Sequence, residues 1–88
     1  EIRQIFASNL RRLRRLRNLS QEALAHEAAI DRTYVSALER GLYSASIDTI
    51  AHLALALGVE PHELLMHANL TTEPQTKSTI ESPPNEPT

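Results

Sequence analysis

The side chains with the most chemical capacity in this sequence are its arginines, and all eight fall within residues 1–40, at positions 3, 11, 12, 14, 15, 17, 32 and 40. A guanidinium stays charged at any working pH and presents five donors in a planar fork, a shape that matches carboxylates and phosphates. In residues 1–40 the eight arginines stand against Glu1, Glu22, Glu27, Asp31 and Glu39, a net of +3, whereas residues 41–88 set Lys77 against six acids, a net of −5. The formal charge of −2 thus conceals a basic first half suited to a polyanion.

Metal and nucleophile chemistry find little support. The four histidines stand at 26, 52, 62 and 67, no two of them four apart, and the chain has no cysteine. Glu63 and His67 read as an exposed helical pair rather than as metal ligands. No activated nucleophile and no paired acid and base can be picked out, so neither catalysis nor a cofactor is expected. The lack of cysteine rules out disulfides and thiol-based redox control and suggests an intracellular setting. With no membrane-length apolar run and no signal-peptide pattern, a cytoplasmic protein is expected.

Eighty-eight residues at 41% apolar content suit one small core. The aromatics are Phe6, Tyr34 and Tyr43, so the interior must come from Leu, Ile, Val and Ala, and the expected class is all-α. At 100° per residue, Ile2, Ile5, Phe6, Leu10, Leu13 and Leu16 share one arc of a first helix over roughly 2–17. Arg11, Arg14 and Arg15 fall on the opposite side, with Arg14 at the edge beside Leu10 and with Arg12 and Arg17 pointing away from the other three. The run RRLRRLR therefore reads as a solvated face with a few phosphate contacts rather than as one nonspecific nucleic-acid patch. Asn18 can end this helix in the left-handed conformation.

Ser20 is placed to cap a second helix over 21–28, packed through Leu24, Ala25 and Ala28, and Asp31 to cap a third that Gly41 stops. Ser46 caps a fourth helix, IDTIAHLALAL, which ends at Gly58, and Pro61 opens a short fifth near 61–67 with Leu64 and Leu65 inward. Residues 71–88, with four prolines and many Ser and Thr, read as a disordered tail or linker after a domain of residues 1–70.

Helices two and three with their short turn form a unit that can present one helix to the major groove of DNA. In the third, Tyr34, Val35 and Leu38 share a packing arc, and Arg32, Thr33, Ser36, Ala37 and Arg40 share the other.

Through NLRRLRRLRNLSQEALAHEAAIDRTYVSALERG and SIDTIAHLALALGVEPHELL, residues 6–67 resemble the phage-repressor Cro/cI-type, or XRE-like, helix-turn-helix family. The resemblance implies a compact five-helix, lambda-repressor-like domain that binds double-stranded DNA and regulates transcription, as a repressor in the first instance. It implies base contacts from Arg32, Thr33, Ser36 and Ala37, with Arg32 foremost because its fork can meet guanine O6 and N7. Arg32 holding only a phosphate is the competing role. Gln21 matches the family's phosphate-binding glutamine, at a helix N-terminus whose free N–H groups suit an anion. Arg40 and Tyr43 lie where the chain runs beside the sugar–phosphate backbone, although Tyr43 could equally serve as packing. Arg14 and Glu39 match a structural salt bridge between helices one and three. The resemblance further implies a homodimer on a palindromic operator, with Leu55, Met66 and Leu70 as candidate interface residues. Ala29 and Asn18 stand where the family commonly has glycine, and Ala45 where proline is frequent, departures that bear on stability. A protein-interaction module on the same fold, such as an antitoxin-like partner of a toxin, is the alternative.

Overall fold

The computed structural model describes residues 1–67, and every regular element among them is helical. Four α-helices, α1 (Ile2–Leu16), α2 (Gln21–Ala28), α3 (Arg32–Glu39) and α4 (Ile47–Leu57), are followed by a single 3₁₀ turn, Pro61–Leu64. The expected all-α class is observed. Leu70, the 70/71 domain boundary and the tail expected over 71–88 lie outside the described residues.

The helix boundaries follow from local side-chain chemistry. Ser20 Oγ accepts the N–H of Ala23 at 2.9 Å, Asp31 Oδ1 that of Thr33 at 2.8 Å, and Ser46 Oγ that of Thr49 at 3.0 Å. Each bond satisfies a donor that the first helical turn leaves without a partner. At the other ends, left-handed residues turn the chain: Ala29 after α2 (φ 59°), Gly41 after α3 (φ 74°) and Gly58 after α4 (φ 72°). In all three the next N–H reaches back to the last turn, Ile30 to Ala25 O at 3.0 Å, Leu42 to Ala37 O at 3.1 Å and Val59 to Ala54 O at 3.0 Å. Asn18 is left-handed as expected (φ 57°).

Phe6, Leu10 and Leu13 of α1, Leu24, Ala25 and Ala28 of α2, Val35 and Leu38 of α3, Leu53, Ala54 and Leu57 of α4, and Leu64 form one buried cluster. A fully buried leucine contributes about 2 kcal/mol relative to an exposed one, so this cluster is what holds two helices of eight residues that would not persist alone. α2 packs on both α3 and α4, and α1 closes over α3 and the 3₁₀ turn.

Three expectations need correction. Ile2 and Leu16, the two end residues of α1, are exposed, Leu16 at 69%, and the buried stripe between them is shifted from the apolar arc to take in Ala7 and Asn9. The fifth helix is one turn long. Asn9 Nδ2 donates to the carbonyls of Leu64 at 3.0 Å and Met66 at 2.6 Å, acceptors that a continuing helix would engage with its own N–H groups. Leu65 consequently faces outward while Leu64 is buried.

Candidate nucleic-acid interface

Arg32 and Thr33 are exposed on the first turn of α3, and Arg40 is exposed at its end. The opposite side, Val35 and Leu38, is fully buried, so the helix has one face to pack and another to offer. Ser36 is half-buried on the offered side. Ala37 is only 5% exposed, on the floor of a recess that it shares with Thr33, Tyr34, Arg40, Leu42 and Tyr43. Its wheel angle is the expected one, but the loop after Gly41 returns beside it, with the Leu42 N–H on the Ala37 carbonyl at 3.1 Å and Leu42 and Tyr43 lining the same recess. Tyr43 stands exposed at the rim of this recess, whereas Tyr34 sits half-buried with its hydroxyl 3.5 Å from the Ser44 carbonyl.

Thr33 offers less hydrogen bonding than its residue type suggests. Its Oγ1 donates to Asp31 Oδ1 at 2.6 Å, which commits the hydroxyl proton to the cap and leaves the oxygen as an acceptor only, beside the free methyl group. The same bond, followed by the Thr33 N–H and the nearby charge of Arg32, holds the Asp31 carboxyl below its ordinary pKa of 3.8. Arg32 makes no bond in the hydrogen-bond network of the described residues, which leaves its fork unoccupied.

Behind this face, Glu39 acts as a junction. Buried to 3% exposure, it receives Arg14 Nε on Oε2 at 2.6 Å and Arg14 Nη2 on Oε1 at 3.0 Å, a bidentate pair that joins α1 to α3 as expected. Oε1 also accepts Gln21 Nε2 at 3.0 Å, and Arg14 Nη1 donates to the Leu19 carbonyl at 2.8 Å. The start of α2 is therefore tied to the end of α3 through one carboxylate. Gln21 keeps its second amide N–H, since an NH₂ group has two donors and Glu39 takes one.

The expectation that Arg12 points away from Arg11 and Arg15 is not met: at about 100° per residue it stands roughly 60° from Arg15, on the same solvent-facing side. Ser8, Arg11, Arg12, Arg15 and Leu16 line one surface recess, so Arg12 belongs with Arg11 and Arg15. It is Arg14 and Arg17 that turn inward, Arg14 to Glu39 and Arg17 to the Leu57 carbonyl at 2.6 Å, where it meets the negative end of α4. Asn9 is a structural residue that sequence reasoning misses. Its one sequence signal is position, a polar side chain three residues after Phe6 and four before Leu13, inside the apolar stripe.

Of the candidate interface residues, Leu55 is 82% exposed on α4 beside Glu27, Ala29 and His52, while Met66 follows the 3₁₀ turn at the site where Asn9 clasps the chain. Among the described residues, no three His, Asp or Glu side chains gather as metal ligands, and no helix is long and apolar enough to cross a membrane.

Helix-turn-helix family HTH_3 matches residues 10–64, which contain α2, the Ala29–Asp31 turn and α3 entire. The chain belongs to this family. It is a DNA-binding transcriptional regulator and not an enzyme. One relative is control protein C.BamHI of Bacillus amyloliquefaciens, 45% identical over 65 residues, which are 73% of this chain and 80% of that protein. Among solved structures, a hypothetical transcription factor from Neisseria superposes with a TM-score of 0.76 at 39% identity, over 78% of this chain and 79% of the other. The restriction-modification controller C.AhdI from Aeromonas hydrophila superposes with a TM-score of 0.69 at 45% identity, over 70% of this chain and 94% of that one.

Proposed function

We propose that this protein is a sequence-specific repressor that enters the major groove with α3, reads base edges chiefly through Arg32, and fixes its register through phosphate contacts from Gln21, Arg40 and Tyr43. One observation carries the reading. Arg32 stands exposed and unoccupied on a helix whose opposite face is buried and whose far end is locked to α1 and α2 through Glu39. A fork carried on a rigid helix can make two bonds to guanine without the cost of ordering the backbone that bears it. Thr33 adds its methyl toward thymine, Ser36 adds a hydroxyl one turn on, and the contribution of Ala37 is confined to the floor of the recess. Gln21 presents its remaining N–H beside the free N–H groups of the α2 terminus, where a phosphate is favoured.

A homodimer on a palindromic operator fits the same reading. Ile47, Ala51 and Leu55 recur at four-residue steps along the outer face of α4, with Ile47 at 85% exposure, and give a second copy an apolar stripe to cover. Leu55 is its C-terminal member, and Met66 extends the candidate interface. The control proteins among its relatives support a place among regulators of restriction-modification genes, acting in the cytoplasm.

Selection of bound duplexes from a random pool tests this. A palindrome whose half-sites lie about 34 Å apart, one helical turn, is expected. Enrichment of no motif, together with a protein partner recovered on the α4 face, would instead support the antitoxin-like interaction module.

A further inference from the structure

We infer that Arg11, Arg12 and Arg15 form an outer phosphate-binding row on α1, which takes the DNA backbone beyond the base pairs read by α3. The inference rests on the DNA-binding reading above and extends its footprint. The three side chains share one surface recess with Ser8. Among the described residues the ion pairs are Glu1 with Arg3 and Glu39 with Arg14, so no carboxylate there lies within 4.0 Å of this row.

Two of the three arms are nevertheless held in place. Arg11 Nη1 donates to the backbone carbonyl of Glu39, and Arg12 Nη2 donates to Asn9 Oδ1 at 3.1 Å. Both acceptors are neutral, so they orient the guanidiniums without cancelling their charge. Arg15 lies exposed one turn from Arg11. Like charges at this spacing repel along a helix, and an anion between them relieves that repulsion. Each guanidinium retains N–H donors in the fork that suits phosphate oxygens.

Position identifies the anion. Glu39 takes Arg11 on its carbonyl and Gln21 on its carboxylate, so the row adjoins the phosphate-binding start of α2 and continues its positive track along α1. A polyanion already held at Gln21 would pass next over Arg11 and Arg15. A DNA strand has that continuity.

The test uses the full chain, the selected duplex trimmed to the edges of its motif, and the same duplex with about five unrelated base pairs added on each side, half a helical turn. Wild type should bind the flanked duplex several-fold more tightly, with a gap that closes as salt rises. The R12Q/R15Q variant, changed only at exposed residues, should bind both duplexes alike and keep its base preferences. Its log–log salt slope should fall by about 0.9 for each phosphate that is no longer neutralised. R11Q should shift the slope in the same direction. Base preference retained with an unchanged slope and flank gap would overturn the row alone. A wild type without base preference, whose slope still falls in R12Q/R15Q, would overturn the α3 reading and leave the row standing.

Discussion

Arg14 and Glu39 meet through two parallel N–H to oxygen bonds, Nε to Oε2 at 2.6 Å and Nη2 to Oε1 at 3.0 Å, with the arginine side chain 12% exposed and the carboxylate nearly enclosed. Burying such a pair costs desolvation of both ions, so its net worth is small, but removing one partner strands the other. Arg14→Ala should lower unfolding stability by about 3–5 kcal/mol, read from urea midpoints. Replacing both partners with apolar residues of similar size, Arg14→Met with Glu39→Leu, should recover much of that loss. A single substitution costing under about 1 kcal/mol would mean that the pair behaves as a surface bridge.

Asn9 joins α1 to the segment after α4 through the carbonyls of Leu64 and Met66. Asn9→Ala leaves the enclosed Leu64 acceptor without a donor and should cost about 1–3 kcal/mol. Amide exchange at residues 61–66 should rise more than in α2 or α3. Uniform exchange across the domain would argue against a local clasp.

The helix boundaries are legible in the sequence where a side chain both caps and turns the chain. Ser20, Ser46 and Gly58 fix α2 and α4 to the residue, because capping is decided within three or four positions. The fifth helix is shorter than its sequence suggests because its carbonyls are claimed by Asn9, more than fifty residues earlier, and nothing local announces that claim. The reading face of α3 is legible as a wheel, yet the burial of Ala37 depends on a loop whose path the wheel does not contain. The place of Arg12 beside Arg11 and Arg15 is legible in the spacing itself, because residues 8, 11, 12 and 15 follow the three- and four-residue steps of one helix face.

Ala29 holds φ at 59° in the turn between α2 and α3, a conformation that costs a residue with a Cβ about 1 kcal/mol or more. Ala29→Gly should therefore raise stability by about 0.5–1 kcal/mol, after the greater flexibility of glycine in the unfolded chain is counted. A thermal midpoint higher by about 4 °C is expected. Gly41→Ala should do the reverse, because φ is +74° there and a residue with a Cβ is strained in that conformation, whereas the exposed Gln4 amide near the added Cβ can move aside. A fall in midpoint for Ala29→Gly would contradict this account of the turn.

Asp31 links the cap of α3 to acid stability. Its carboxyl is held below 3.8 in the native state, so the folded protein prefers the ionised form. The resulting contribution is complete above the unfolded value and is lost as pH falls from 3.8 through the lower native value. Asp31→Asn keeps a capping oxygen but cannot titrate. Urea midpoints measured from about pH 5 to pH 2 should show a shallower acid decline in Asp31→Asn than in wild type. Equal slopes would remove Asp31 from the acid response.

Reading of DNA sequence by α3 through Arg32 is tested most directly by measuring the affinity of wild type and Arg32→Ala for the selected duplex and for each single-base change within it. The variant should lose about 1–3 kcal/mol of discrimination at one or two positions, while its preferences elsewhere persist. An Arg32→Ala profile that matches wild type at every position, or that weakens equally on all duplexes, would show Arg32 to be at most a phosphate contact and would contradict the proposed reading face.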